Sequence, residues 1–173
     1  MFADPTPLVR TPAQLDAFAR YEYAIGGYPR VAPMRAVCAY DRSEIDDRAI
    51  AELACVHERS NVPISFHIIA GTPGGMAVLS GELDGAVEGL FVTALRRSEL
   101  GRPELGRSEL ARSGGAVVID ARGLRFIDHR ALLHLQRHAR ENAVTVVLRT
   151  AKASVRRLAG LLELSHVRVE IAG

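Results

Sequence analysis

Residues Ala116 to Leu135, AVVIDARGLRFIDHRALLHL, decide the fold. The stretch opens with small and β-branched apolar residues, Ala116 to Ile119, a pattern that predicts a buried strand. Asp120 closes that strand, a short loop follows, and Phe126-Ile127 anchor the loop's far end. Asp128 is placed to cap a helix, because its carboxylate can accept from the free N–H groups of the first turn. Ala131, Leu132, Leu135 and Ala139 then fall on one helical stripe. The product is strand, loop, helix N-terminus, with His129 and Arg130 on the first turn, where an anionic group of a partner would be held.

The alternation continues on both sides. Downstream, Ala143 to Leu148 reads as a buried strand. Ala151 to Leu162 reads as a helix with Val155, Leu158, Ala159 and Leu162 in register, and Val167 to Ile171 as a last strand. Upstream, Ile64 to Ala70 and Met76 to Gly81 are strands flanking Gly71-Thr72-Pro73-Gly74-Gly75, a hairpin turn. Ala86 to Leu95 begins a helix with Leu90, Phe91 and Ala94 on its core side. Strand–helix alternation of this kind implies an α/β fold, a sheet with helices packed on it. Between this helix and the central stretch, Arg97-Ser98-Glu99-Leu100-Gly101 is echoed by Arg102-Pro103-Glu104-Leu105-Gly106 and by Arg107-Ser108-Glu109-Leu110-Ala111. A five-residue period fits neither helix nor strand, so residues 97–111 read as a duplicated loop insertion.

The first third has a different pattern. Thr11-Pro12-Ala13-Gln14 opens a helix: threonine as N-cap, proline where its missing N–H is harmless, and glutamine completing a capping box. Leu15, Phe18 and Ile25 supply its apolar side, and Gly26-Gly27 end it. Met34 to Tyr40 reads as a strand. A second helix starts at Asp41 or Ser43, carries Ile45, Ala49, Leu53 and Val56 at core spacing, and runs out near Ser60-Asn61. This helix–strand–helix piece is too small to bury its own core and needs the rest of the chain or a partner.

Two resemblances follow from these residues. The pattern strand, Asp120, then Leu124-x-Phe126-Ile127-Asp128 and helix, with Ser80-Gly81-Glu82-Leu83-Asp84 ending an earlier strand, resembles the STAS domain of anti-sigma factor antagonists. The resemblance implies a STAS-like mixed β-sheet over residues 62–173, and a partner that is an anti-sigma factor with an ATPase-fold kinase. It places Asp84 near a switch helix, Asp128 at that helix's start, and His129 and Arg130 on the docking surface. The family's helix normally starts Asp-Ser-Ser-Gly, with the second serine as phosphorylation switch; the matching position here is Arg130, which cannot be phosphorylated as a serine is. Residues 11 to 61 resemble the C-terminal end of the MEDS sensory domain through Tyr21-Glu22, Ala36-Val37-Cys38-Ala39-Tyr40-Asp41 and His57. Residues 1–61 are therefore read as a truncated MEDS-like segment. A small-molecule sensor, with a pocket between this segment and the sheet, is the alternative function. Completion of the N-terminal core in a homo-oligomer is a third.

Composition sets outer bounds. Of 173 residues, 48% are hydrophobic, enough for a core, while aromatics at 5% leave the packing to aliphatic side chains and alanine. No apolar stretch approaches the roughly 20 residues that span a bilayer, and MFADPTPLVR does not read as a signal peptide, so a cytoplasmic protein without membrane contact is expected. A formal charge of +2 is too small to argue for nucleic acid. Arg130 beside the positive end of a helix breaks a local rule: it either meets an acidic patch on a partner or is an exposed arginine tolerated through screening. His134 and His138 have a chelating spacing but lie off the Leu132/Leu135 stripe, which predicts a solvated face. Cys38, Cys55, His57 and His67 lack the spacing of a zinc module. Gly71 to Gly75 lacks the Gly-Lys-Ser/Thr of a phosphate loop. No catalytic constellation is present, and no metal or cofactor is expected.

Overall fold

The computed structural model describes residues 2–26, 36–71, 76–98, 100 and 115–172. Their order is β1 (Phe2–Ala3), α1 (Pro12–Ile25), β2 (Val37–Cys38), α2 (Asp47–Ala54), β3 (Phe66–Ala70), β4 (Met76–Leu83), α3 (Glu88–Arg97), β5 (Ala116–Asp120), β6 (Leu124–Ile127), α4 (His129–Glu141), β7 (Thr145–Thr150), α5 (Ala153–Leu161) and β8 (Val167–Ile171). This is the expected α/β class, a mixed sheet with helices packed on it.

The sheet runs β3-β4-β5-β7-β8, and β6 pairs with β4 beyond the end of β5. Only β3 and β4 are antiparallel; every other pair in this sheet is parallel. Parallel neighbours need crossovers, which α3, α4 and α5 supply. One face carries Phe66, Ile68, Ala77, Leu79, Ile119, Val146 and Leu148, all buried in one cluster with Phe91, Leu132, Leu135, Ala139 and Val155 from the helices. The periodicities of two in the strands and 3.6 in the helices meet on this surface.

Gly81 makes the middle of β4 possible. Its φ is +93°, and a Cβ there would lie 2.1 Å from the Ser65 carbonyl oxygen. Met76–Val78 of β4 pair with β5 and Gly81–Leu83 pair with β6, and the β6 register shifts between Gly81 and Glu82, as at a bulge.

The N-terminal third has a smaller core of Val9, Ala19, Ile45, Ala49, Ile50 and Leu53, with Leu15, Phe18, Tyr40 and Val62 packed on it. Tyr23, Cys55 and Val56 instead belong to the sheet's cluster. The piece that is too small for its own core completes it on the same chain.

Several expectations need correction. The strand expected over Met34 to Tyr40 is only Val37–Cys38 among the described residues, because its one partner, β1, offers two residues; Met34 and Arg35 lie outside them. The second helix starts at Asp47, capped by Asp46, and ends at Ala54. Asp41 and Ser43 form a side-chain turn instead: the Asp41 carboxylate accepts from the Ser43 N–H and hydroxyl at 2.8 and 2.6 Å. Leu124–Ile127 is a strand rather than a loop, and Phe126 is exposed. The strand after α4 is Thr145–Thr150, displaced by two residues from the expected Ala143–Leu148. The first repeat unit is not wholly loop: Arg97 ends α3, and Arg97, Ser98 and Leu100 are buried. The rest of the repeat and turn residues 72–75 lie outside the described residues, while Gly71 N–H donates to the Met76 carbonyl at 2.6 Å beside that turn.

Candidate functional site

The first turn of α4 is fixed from two directions. The Asp128 carboxylate accepts from the Ala131 N–H at 2.8 Å, as an N-cap does. The Asp128 N–H donates to the Leu83 carbonyl at 2.9 Å, which ties the helix start to the end of β4. Asp84, the next residue after β4, accepts from the Ala86 N–H at 3.0 Å and caps the 3-10 turn Gly85–Val87 that leads into α3. Both carboxylates thus stand where β4 hands over to α3 and where α4 begins.

Arg130 reaches across from α4. Its Nη1 lies 3.3 Å from Glu88 Oε2 and within 3.5 Å of where a Cβ on Gly85 would be. The other Glu88 oxygen lies 2.8 Å from His134 Nε2. Hydrogen bonds from His134 and then Arg130 outweigh burial and hold the Glu88 carboxyl below its usual value. A cation beside a positive helix end is thereby compensated by an acid on the neighbouring helix. Asp84, Asp128 and Arg130 line one shallow groove with Glu88 and His134, and the groove has no interior room for a water molecule. His129 is exposed outside that groove.

The helical histidines are not on a solvated face. His134 is half-buried against Glu88, and His138 Nε2 lies 3.0 Å from the Leu100 carbonyl. Packing of α3 and of the residue Leu100 beyond it over α4 turns both rings inward, each toward a different partner, so they do not act as a chelating pair. Cys55 and His67 have partners of their own, while Cys38 and His57 come together with Glu22. Cys55 is fully buried, with its Sγ 3.4 Å from the Glu52 carbonyl, and burial pushes its pKa up to about 12. His67 Nδ1 lies 2.7 Å from the His57 carbonyl.

A second cluster forms in the N-terminal third, where β1 holds β2 against the end of α1. Cys38 Sγ lies 3.8 Å from Glu22 Oε1, and His57 Nε2 lies 3.1 Å from Glu22 Oε2, off the line of a well-aligned hydrogen bond. Burial opposes protonation of His57, but the Glu22 carboxylate and the Leu53 carbonyl outweigh it and raise its pKa. Burial first, then Glu22, raises the Cys38 thiol. Tyr40 borders the same place: its hydroxyl is buried without an aligned partner, and burial followed by the Glu22 charge raises its pKa. Sequence reasoning picked these residues as points of resemblance, and set Cys38 and His57 aside as metal ligands because, with Cys55 and His67, they lack zinc-module spacing. The structure nonetheless brings Cys38 and His57 together, with Glu22 in place of Cys55 and His67. Their convergence depends on a contact between residues 22, 38 and 57 that no local spacing displays.

The fold and these sites define an α/β protein with an N-terminal segment joined to a mixed sheet. Residues 1–58 of that segment match the model of the MEDS family, the methanogen/methylotroph, DcmR sensory domain. The match covers 58 of the 173 residues and points to a sensory or regulatory role. No STAS match accompanies it, and no curated protein matches the chain. Among the described residues no helix is long and apolar enough to cross a membrane.

Proposed function

We propose that this chain is a non-enzymatic regulatory module that binds a protein partner, in the manner of an anti-sigma factor antagonist, through the first turn of α4. The observation that carries the reading is the placement of Arg130. It occupies the position of the switch serine in the STAS-like pattern and stands exposed at a helix start braced by Asp84, Asp128 and Glu88. Leu133, one turn further on the His129 side, adds exposed apolar surface. Polar anchors around an apolar contact are what a protein-binding patch needs. Phosphorylation would install charge and bulk on such a helix start and block docking. With arginine there, the module is a constitutive antagonist or serves a changed partner.

Tagged wild type and an Arg130→Glu variant test this in pull-downs from native extract, with captured proteins identified by mass spectrometry. Recovery of an ATPase-fold anti-sigma factor by wild type alone is the expected result. Equal recovery by both would remove α4 from the contact. Incubation of the chain with that captured kinase and ATP should leave α4 without phosphate.

A second reading, a small-molecule sensor, draws support from the MEDS match and from the convergence of Glu22, Cys38, Tyr40 and His57 within it. A thermal-shift screen tests it, because a ligand that binds only the folded state raises Tm.

A further inference from the structure

Glu22, Cys38 and His57 come from three separate elements: the last turns of α1, strand β2, and the residues after α2. One ligand atom from each lies within 4.8 Å of the others. We propose that these three side chains bind one divalent transition-metal ion of the zinc type, through carboxylate, thiolate and imidazole, leaving a fourth position open. The proposal does not depend on the partner-binding reading of α4.

The donor set is one that zinc takes, and three protein ligands with an open position are the pattern of sites that admit an exogenous group. The spacing also fits. Metal–ligand bonds of about 2.0–2.3 Å at tetrahedral angles place neighbouring donors about 3.3–3.6 Å apart. The separations are 3.1 Å for Glu22 Oε2–His57 Nε2 and 3.8 Å for Glu22 Oε1–Cys38 Sγ, and one donor from each of the three residues lies within 4.8 Å of the others, so side-chain rotation brings them onto one ion.

The surroundings of His57 point the same way. Its Nδ1 lies 2.8 Å from the Leu53 carbonyl, which can only accept, so Nδ1 carries a proton. In the neutral ring the lone pair is then on Nε2, the atom that faces Glu22. A backbone carbonyl fixing the remote nitrogen of a ligand histidine is a recurrent feature of metal sites. The Tyr40 hydroxyl is buried beside Cys38 and Glu22 without an aligned partner, a polar group available to whatever fills the open position. The simpler account, a His57–Glu22 ion pair with a thiol donating to the same carboxylate, leaves His57 Nε2 and the Tyr40 hydroxyl without aligned bonds.

Occupancy would be felt by the sheet. The His57 carbonyl takes a hydrogen bond from His67 on β3, and the Cys55 carbonyl takes one from the Ile68 N–H at 2.8 Å.

The test uses the full chain, stripped with a chelator and titrated with Co²⁺. One Co²⁺ per chain is expected, with a thiolate-to-cobalt charge-transfer band and the visible spectrum of a tetrahedral ion, both abolished when Zn²⁺ displaces it. Cys38→Ser should remove the band and weaken Zn²⁺ binding by more than about 100-fold, since even groups that only orient metal ligands are worth about 10–100-fold. Glu22→Gln, a second variant, should weaken binding by more than about tenfold while keeping the band at saturating Co²⁺. Cys55→Ala, checked for folding by circular dichroism, should keep both. A wild type without the band, a band that survives Cys38→Ser, or one that depends on Cys55 in a folded variant would overturn the proposal.

Discussion

Gly81 shows how much one residue can decide. Its positive φ is open to glycine and strained for other side chains, and a Cβ would meet the Ser65 carbonyl oxygen at 2.1 Å. Gly81→Ala is expected to destabilise the protein by about 3 kcal/mol, the upper end for a residue forced into a rare backbone region, measured by urea denaturation. The sequence motif around Gly81 was visible beforehand, but its reason was not, because the clash involves a residue sixteen positions earlier. Arg97 is the opposite case. It reads in the sequence as the start of a duplicated loop, yet it ends α3, its side chain is only 6% exposed and its Nη1 lies 2.8 Å from Glu52 Oε2. Its Nε also lies 3.0 Å from Asp16 Oδ1. Arg97→Leu should cost about 3 kcal/mol, the low end for breaking a buried pair, because it leaves the buried Glu52 carboxylate with only the exposed Arg48 at 3.1 Å, and adding Glu52→Leu should recover most of that loss. Burial works against ionisation of Asp16, but hydrogen bonds from Arg97 and Arg20 win and depress its pKa. A depressed carboxyl stabilises above its unfolded pKa, near 4, and the contribution fades as pH falls through the folded value. The Tm gap between wild type and Asp16→Asn should therefore narrow between about pH 5 and pH 3.

Among the elements, α4 was the most legible, because an Asp cap and an apolar stripe are both local signals. Asp128→Ala removes the cap and should lower stability by about 1 kcal/mol, read from the denaturation midpoint at unchanged m-value. The capping box of α1 was equally plain: Thr11 and Gln14 exchange bonds at 3.2 and 3.0 Å. The start of α2 was not, since Asp41, Ser43 and Asp46 all carry N-cap chemistry and only packing of Ile45, Ala49 and Leu53 selects the last. Strand β6 escaped because Arg125 and Phe126 are both exposed, so period-two alternation fails over its four residues. The Glu22, Cys38 and His57 cluster was hidden for a different reason. Its members lie on three elements whose mutual approach is set by packing onto the sheet.

At the scale of the molecule, Tyr23, Cys55 and Val56 join the N-terminal helices to the core of the sheet, and the Asp16–Arg97–Glu52 ion pairs tie α1 and α2 to α3. Unfolding should therefore be one cooperative event, with coincident transitions by near- and far-ultraviolet circular dichroism. Two separated transitions would show that the segments hold together independently.

The pairing scheme also has a kinetic consequence. β4 contacts three strands, yet only its pairing with β3 closes a short loop. Pairing with β5 joins residues about forty positions apart, so loop-closure entropy is spent before those contacts repay it. On a ribosome, the β3–β4 hairpin is complete while β5 is still unsynthesised. Until then one long edge of β4 waits uncovered, and that interval is when a nascent chain of this protein is most exposed to pairing with the wrong strand.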